Sequence, residues 1–494
     1  MSKSSPSLSR QSIAVFIGQV SGFAINFLTP ILLVRIISKT DYGVLQQFLL
    51  MGNTMLPILG LGLASSLYYF FPINQGEQRK SFVFNTYLKM AASGFIFVVG
   101  FYFLGKYILG GLGMETLGQA GNILSFYIMF LLSGTLIDFL FILEQKVQMT
   151  MGFNPIDKFF RLILLVGTAL WHETVQACMW GLMIYAGLRF VFISYYVIKN
   201  YYNSANWKLV VPNMRTQLAY SLPFAAGIIF TTVSQRIDKL LVNRYITPEE
   251  FAIYSLAFFS IPLVDQAFAS INNVVTPKIA NLLKEGNKED TLKLYRQVVG
   301  KTSSIAFPAI IYFTVMAPEL LAFLFTEEYV SATPFYRIYL LLFILTMTSY
   351  GIVLRAAGKT KWIMLSNFIG MAITAGLGLV IIPKYALWGA IVTAICGSAV
   401  PILLQLHFER KVLKVPLSKH MPWGEILKGL LASLTCIIPV LLIRTLNLPP
   451  FISLAITATI FFPIIGLVEW KLGIFAFEKQ LESLLRKYLP GRKT

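Results

Sequence analysis

Charge is what this chain has least of. Only 13% of its 494 residues are Asp, Glu, Lys or Arg, while 56% are hydrophobic. A soluble domain carries about 25% charged residues, so a water-soluble fold built from this sequence would expose large apolar areas, and lipid is the expected solvent. Cysteine is nearly absent. Cys178, Cys396 and Cys436 each sit inside an apolar run, which excludes a disulfide framework and a cysteine-based metal site. His172, His407 and His420 are scattered, so no histidine cluster points to a metal, and no cofactor is expected. A cleavable signal peptide is missing as well, because Met1–Arg10 is polar and Ser-rich and the first apolar run is too long for one. Phosphate-binding loops are also lacking. Gly300-Lys301-Thr302 and Gly358-Lys359-Thr360 imitate the end of such a loop, but the required first glycine falls on Tyr295 and Val353. Acid is scarcer than base, with 22 Asp and Glu against 41 Lys and Arg, a net charge of +19. In a soluble chain that excess would suggest nucleic acid.

What is present is a series of apolar runs of about 20 residues, each long enough to cross a bilayer as a helix. They are continuous rather than alternating, which excludes a β-barrel. The expected fold class is all-α, a polytopic membrane protein with fourteen transmembrane helices. Their approximate positions are 12–37, 44–71, 82–109, 120–143, 156–171, 174–198, 216–241, 250–275, 299–325, 334–354, 361–382, 386–406, 425–444 and 451–470. With the N-terminus in the cytoplasm, roughly 30 of the 41 Lys and Arg fall in inner segments and about 9 in outer ones. Both termini are then cytoplasmic and the protein belongs in the cell (inner) membrane. The positive excess becomes a topology signal on an anionic leaflet, and nucleic acid is discarded as a partner. The loop Asn281–Arg296 and the tail Ile474–Leu489 read as amphipathic segments lying on the inner surface.

The chain also repeats itself. Leu32-Leu33-Val34 and Leu240-Leu241-Val242 lie 208 positions apart, as do Met179-Trp180-Gly181-Leu182 and Leu387-Trp388-Gly389-Ala390. That offset joins span 1 to span 7 and span 6 to span 12, so the copies run parallel. The expected domains are an N-terminal six-helix bundle (1–205), a C-terminal six-helix bundle (206–412), and two extra transmembrane helices with a cytoplasmic tail (413–494).

Several corners carry a resemblance. The stretch Ser38-Lys39-Thr40-Asp41-Tyr42-Gly43, the pair Asp238-Lys239-Leu240-Leu241 and Phe251-Ala252-Ile253-Tyr254-Ser255, the exit Pro277-Lys278-Ile279 and the run Pro383–Ala390 together resemble polysaccharide flippases. These belong to the multidrug/oligosaccharidyl-lipid/polysaccharide (MOP) exporter superfamily. The resemblance implies a V-shaped pair of six-helix bundles around a central cavity that opens alternately to each side. It implies a cargo of oligosaccharide linked to polyprenyl pyrophosphate, moved from the inner to the outer leaflet, with other polysaccharide assembly proteins as partners. Lipid II flippases are similar, but tend to carry an Arg well inside span 1, where this chain has Asn26.

A pyrophosphate cannot cross hydrocarbon without cations and water, so ionisable residues inside spans are the candidates. Lys89, Arg161 and Arg189, with Asp138 near the same depth, form the candidate headgroup site. Their repeat counterparts Gln297, Thr346 and Gly397 carry no charge for Lys89, Asp138 and Arg189. The competing reading is structural pairing of Lys89 with Asp138, or snorkelling of the cations. Asp265 with Asn272 is the candidate site for a coupling proton or sodium ion, against a purely structural carboxylate. Arg35, Asp41, Arg236 and Asp238 are candidate outer-gate residues, against simple interface markers. No enzymatic activity is expected, because a membrane glycosyltransferase or polymerase would show a large outer loop with clustered acids or Arg. A proton- or sodium-coupled multidrug antiporter is the alternative within the superfamily.

Overall fold

In lipid, apolar runs of this length satisfy their backbone groups internally only as helices, and helix is what the chain forms. The computed structural model describes residues 22, 24–202, 210–259, 275–346, 348 and 350–473, and these contain no strand. Asp265, Asn272, most of the eighth expected span and the tail from Ile474 lie outside the described residues. In chain order, α1 is Ala24–Leu33. It is followed by α2 (Lys39–Gly60), α3 (Leu63–Ile73), α4 (Gly76–Gly111), α5 (Gly121–Gly134), α6 (Leu136–Leu143), α7 (Val147–His172), α8 (Val175–Val197), α9 (Val210–Ser234), α10 (Ile237–Val242) and α11 (Pro248–Ala257). A helix at 275–284 is α12. Then come α13 (Lys288–Val315), α14 (Ala317–Phe325), α15 (Thr333–Thr346), α16 (Ile352–Ala356), α17 (Thr360–Leu413), α18 (Leu417–His420), α19 (Trp423–Cys436), α20 (Ile438–Arg444) and α21 (Pro450–Lys471).

Among the described residues, nine helical stretches are long and apolar enough to cross a membrane. The chain is a multi-pass membrane protein. One of the nine, α17, is two helices in a single run, because Ala386 departs from helical geometry (φ 45°, ψ −123°) just after Pro383. That break falls between the spans expected at 361–382 and 386–406. The span expected at 156–171 belongs to a longer helix. α7 starts at Val147, so Asp157 and Lys158 lie well inside it.

The stretch 281–296 is not a separate surface helix. α12 and α13 meet at a tight turn, where Gly286 has φ +76°. Leu283, Leu292 and Leu294 pack against a core of Ile279, Tyr295, Val299, Ile352 and Leu406. The amphipathic pattern is real, but its apolar face is covered by protein rather than by lipid headgroups.

By internal contacts the chain forms two compact units. The first is Met1–Ser255 with Gly378–Leu387, and the second is Leu256–Leu377 with Trp388–Thr494. The first unit therefore takes in α9, α10 and α11. Its core joins Leu67 of α3, Val83 of α4, Leu136 and Leu140 of α6 and Ile193 of α8. In the second unit the last two spans pack on α13. Tyr312 stacks on Phe461 at 5.5 Å between centroids, and its hydroxyl donates to the Leu454 carbonyl at 2.9 Å.

Candidate functional site

Three helices of the first unit bring charge together. Arg189 of α8 is 8% exposed and every part of its guanidinium is engaged. Nη2 donates to Asp138 Oδ2 at 2.6 Å, Nη1 to Asp157 Oδ2 at 3.0 Å and to the Tyr185 hydroxyl at 3.0 Å, and Nε to the Gly134 carbonyl at 3.1 Å. Tyr185 lies one turn before Arg189 on the same face, and its hydroxyl also donates to Asp157 at 2.9 Å. A planar fork with five donors suits such a convergence. Arg189 thus ties α5, α6 and α7 to α8, with two carboxylates on one cation. Lys158 and Arg161 continue the cluster along α7, giving three cations to two carboxylates. Among the described residues, neither Lys158 nor Arg161 is ion-paired.

Asp138 and Arg189 were expected from the sequence. Asp157, Lys158 and Tyr185 were not: Asp157 and Lys158 stand at the very start of the span expected at 156–171, where charge reads as a span boundary, and a tyrosine inside an apolar span carries no charge to single it out. The signal was available in the spacing Tyr185–Arg189 and Asp157–Arg161, both i to i+4.

Lys89 of α4 stands apart from that cluster and does not pair with Asp138. It is 9% exposed, and its ammonium donates to Gln217 Oε1 of α9 at 2.6 Å. Gln217 Nε2 donates to Ser66 Oγ of α3 at 2.7 Å and to Thr86 Oγ1 of α4 at 2.7 Å. Lys89 is therefore a buried cation whose hydrogen-bond partner, among the described residues, is a neutral amide.

The two equivalent corners are built alike and touch. Ser38 caps α2 by accepting from the Asp41 amide at 3.1 Å. Thr247 and Glu250 cap α11 reciprocally, the Thr247 amide donating to Glu250 Oε2 at 3.0 Å and the Glu250 amide to Thr247 Oγ1 at 3.3 Å. Thr40 donates to Glu249 Oε1, which holds that carboxyl below its ordinary range. Gly43 must be glycine here, since a Cβ would stand 1.9 Å from the Pro248 carbonyl oxygen. Of the expected gate residues, Arg236 donates to the Asn53 carbonyl, Asp238 accepts from the Tyr254 hydroxyl at 2.8 Å, and Arg35 donates to the Ile31 carbonyl at 2.5 Å. The contact that joins the corners is Thr40–Glu249, which composition alone did not single out.

The second unit uses the position that matches Arg189 for packing. Gly397, the counterpart of Arg189, lies so close to α17's own first half that a Cβ would meet Thr374 Oγ1 at 1.8 Å. Its buried acids, Glu409 and Glu469, are elsewhere. Glu409 is fully buried, and its Oε1 accepts from the Val353 amide at 2.9 Å, capping α16.

A family model described as polysaccharide biosynthesis protein matches residues 32–334. In sequence, the chain is 25% identical over 231 residues, 45% of its length and 56% of the relative's, to the capsular polysaccharide biosynthesis protein CapF of Staphylococcus aureus. It is 22% identical over 270 residues, 54% of its length and 51% of the relative's, to the uncharacterized membrane protein MJ1068 of Methanocaldococcus jannaschii. The chain thus spans about half the length of these relatives. In fold, it is similar to the lipid II flippase MurJ in an inward closed conformation, with a TM-score of 0.67 at 15% identity over 94% of this chain and 99% of that one. It is also similar to an inward-facing multidrug resistance MATE family transporter of the MOP superfamily, with a TM-score of 0.57 at 12% identity over 81% of this chain and 98% of that one. At these identities the likeness is one of fold. The family match takes in well over half of the chain, including both mutually touching corners and the helices that carry Lys89, Asp138, Arg161 and Arg189. The chain belongs to the polysaccharide biosynthesis protein family.

Proposed function

We propose that the protein is a flippase that moves polyprenyl-pyrophosphate-linked oligosaccharide from the inner to the outer leaflet by alternating access, for surface polysaccharide assembly. It works as a transporter and not as an enzyme, in the cell membrane, with fourteen spans and both termini cytoplasmic. The observation that carries this reading is Lys89, a buried ammonium held by an amide oxygen rather than a carboxylate. A cation kept without a counter-charge inside a membrane protein is costly, and an anionic cargo supplies what it lacks. Arg161, with Lys158 beside it, adds charge to the same unit. Arg189, held by Asp138 and Asp157, sets the positions of the helices that present them. The gate assignment to Arg35, Asp41, Arg236 and Asp238 rests on their place at the two corners. Asp265 with Asn272 is the proposed coupling site for protons or sodium. Its test is export under imposed and collapsed gradients in wild type and Asp265→Asn.

The decisive experiment is lipid analysis of a deletion strain. Carrier-linked oligosaccharide should accumulate on the inner leaflet and clear on complementation. Lys89→Ala should lower export by at least about tenfold at normal protein abundance, as expected where a buried charge contact to the cargo is removed. A deletion strain with no such accumulation but raised drug sensitivity would assign the protein to multidrug antiport instead, a reading that the likeness of fold to the MATE transporter favours.

A further inference from the structure

Gln217 is the hub of the Lys89 site. Its amide oxygen takes the Lys89 proton donor at 2.6 Å. Its amide nitrogen donates to Ser66 and Thr86, each at 2.7 Å, with the Leu63 carbonyl at 3.4 Å. The side chain is fully buried and joins α9 to both α3 and α4. One turn on, Tyr220 stacks on Tyr69 at 4.8 Å between centroids and lies edge-on to Phe70 at 5.4 Å. The N-terminal half of α9 is thus closed on α3 and α4 around one buried polar group. Pro223 follows directly inside the helix. Its missing N–H removes a hydrogen bond from the ladder and lets the helix bend there. Beyond it, Arg236 fastens the far end to the Asn53 carbonyl of α2. One end is held through the buried Lys89–Gln217 contact, and the other through an exposed contact of Arg236 with a backbone carbonyl.

We propose that Gln217 is a stand-in ligand for Lys89. It occupies the ammonium in the absence of cargo, and an anionic diphosphate that takes Lys89 from it releases the N-terminal half of α9 from α3 and α4. An amide suits this role because it is a neutral acceptor. It satisfies the ammonium but is a weaker partner than an ionised phosphate oxygen. The inference rests on the flippase reading and goes further, because it makes headgroup capture and the helix movement a single event at one side chain.

The test uses the full-length protein in membranes with cysteines at Tyr69 and Tyr220, and reads oxidative cross-linking of α3 to α9. Inorganic pyrophosphate should lower the yield severalfold, and sulfate at matched ionic strength should not. Lys89→Met should make the yield insensitive to pyrophosphate. Gln217→Glu replaces the amide with a carboxylate and makes a buried ion pair that each transport cycle must break. It should hold the yield high with or without pyrophosphate, and lower export by at least about tenfold at normal abundance. Ser66→Ala with Thr86→Val removes the two side-chain acceptors of the Gln217 amide nitrogen, leaving it only the longer contact to the Leu63 carbonyl at 3.4 Å, and should lower the yield without any ligand, which keeps the test open if Gln217→Glu fails to fold. A yield unmoved by pyrophosphate, or Gln217→Glu exporting at the wild-type rate, overturns the proposal. Accumulation of carrier-linked oligosaccharide in the deletion strain, alongside either result, leaves the flippase reading standing without the latch. Absence of that accumulation fails the flippase reading itself.

Discussion

Arg189 is one cation shared by two acids, a hydroxyl and a carbonyl. Removing it leaves Asp138 and Asp157 facing each other across an apolar bundle, so Arg189→Met should cost about 3–5 kcal/mol. The loss is read as a lower thermal midpoint in detergent. Adding Asp157→Asn should recover part of it, and Arg189→Lys should recover less, because a single ammonium cannot span the same four oxygens. A second residue reports on pH. His420 is fully buried, stacks on Tyr295 at 4.6 Å, and is pushed down to about 4 by burial, with Arg410 adding to the effect. The unfolded chain takes up this proton near pH 6.5 and the folded one only near 4. The contribution is therefore complete above about 6.5 and drains away as pH falls toward 4. The thermal midpoint should drop over that window, and His420→Phe should remove that component while keeping the stack. The sequence named Arg189 and Asp138 because charge within an apolar run stands out. It did not show that they bond, nor that Asp157 completes the set. That depends on how α7 packs against α8, and hydropathy along one helix says nothing of which neighbour its charged face meets.

At the scale of helices, the sequence was most informative about existence and least about ends. α7 and the α12–α13 hairpin both extend beyond their apolar stretch, because protein contacts can carry a helix past the point where lipid requires it. The pattern Leu283, Leu292, Leu294, Tyr295 marked apolar positions that are indeed covered, but it showed neither the turn at Gly286 that divides them between two helices nor whether lipid or protein covers them. Glu409 is the other case. From sequence it is one acid in the basic segment after the twelfth span, yet it caps α16 from inside the second unit. Glu409→Ala leaves the amide of Val353 without its partner, a loss of about 1–3 kcal/mol. Hydrogen exchange at Val353 should quicken more than at Tyr295, and Glu409→Gln should retain most of the protection.

For the molecule as a whole, orientation is the quantity that the Lys and Arg count predicts most firmly and that helix geometry leaves open. Single cysteines check it directly. Gly286→Cys, in the turn between α12 and α13, should react with an impermeant thiol reagent only after the membrane is opened. Glu115→Cys, just beyond the end of α4, should react in intact cells. Reversed labelling would move both termini outside and place Lys89 on the side opposite the one from which a newly made lipid-linked precursor arrives.

The Arg189 cluster also bears on how the protein is made. A lone carboxylate costs roughly 2.5–3.5 kcal/mol to insert at the centre of a membrane helix and less toward its end, and the helices contributing Asp138 and Asp157 leave the ribosome before the one that carries their arginine. Until residue 189 emerges, both acids lack their counter-ion. The efficient course is for these consecutive segments to wait together beside the insertion channel and partition into lipid as one packet, with synthesis of the arginine-bearing segment as the releasing step.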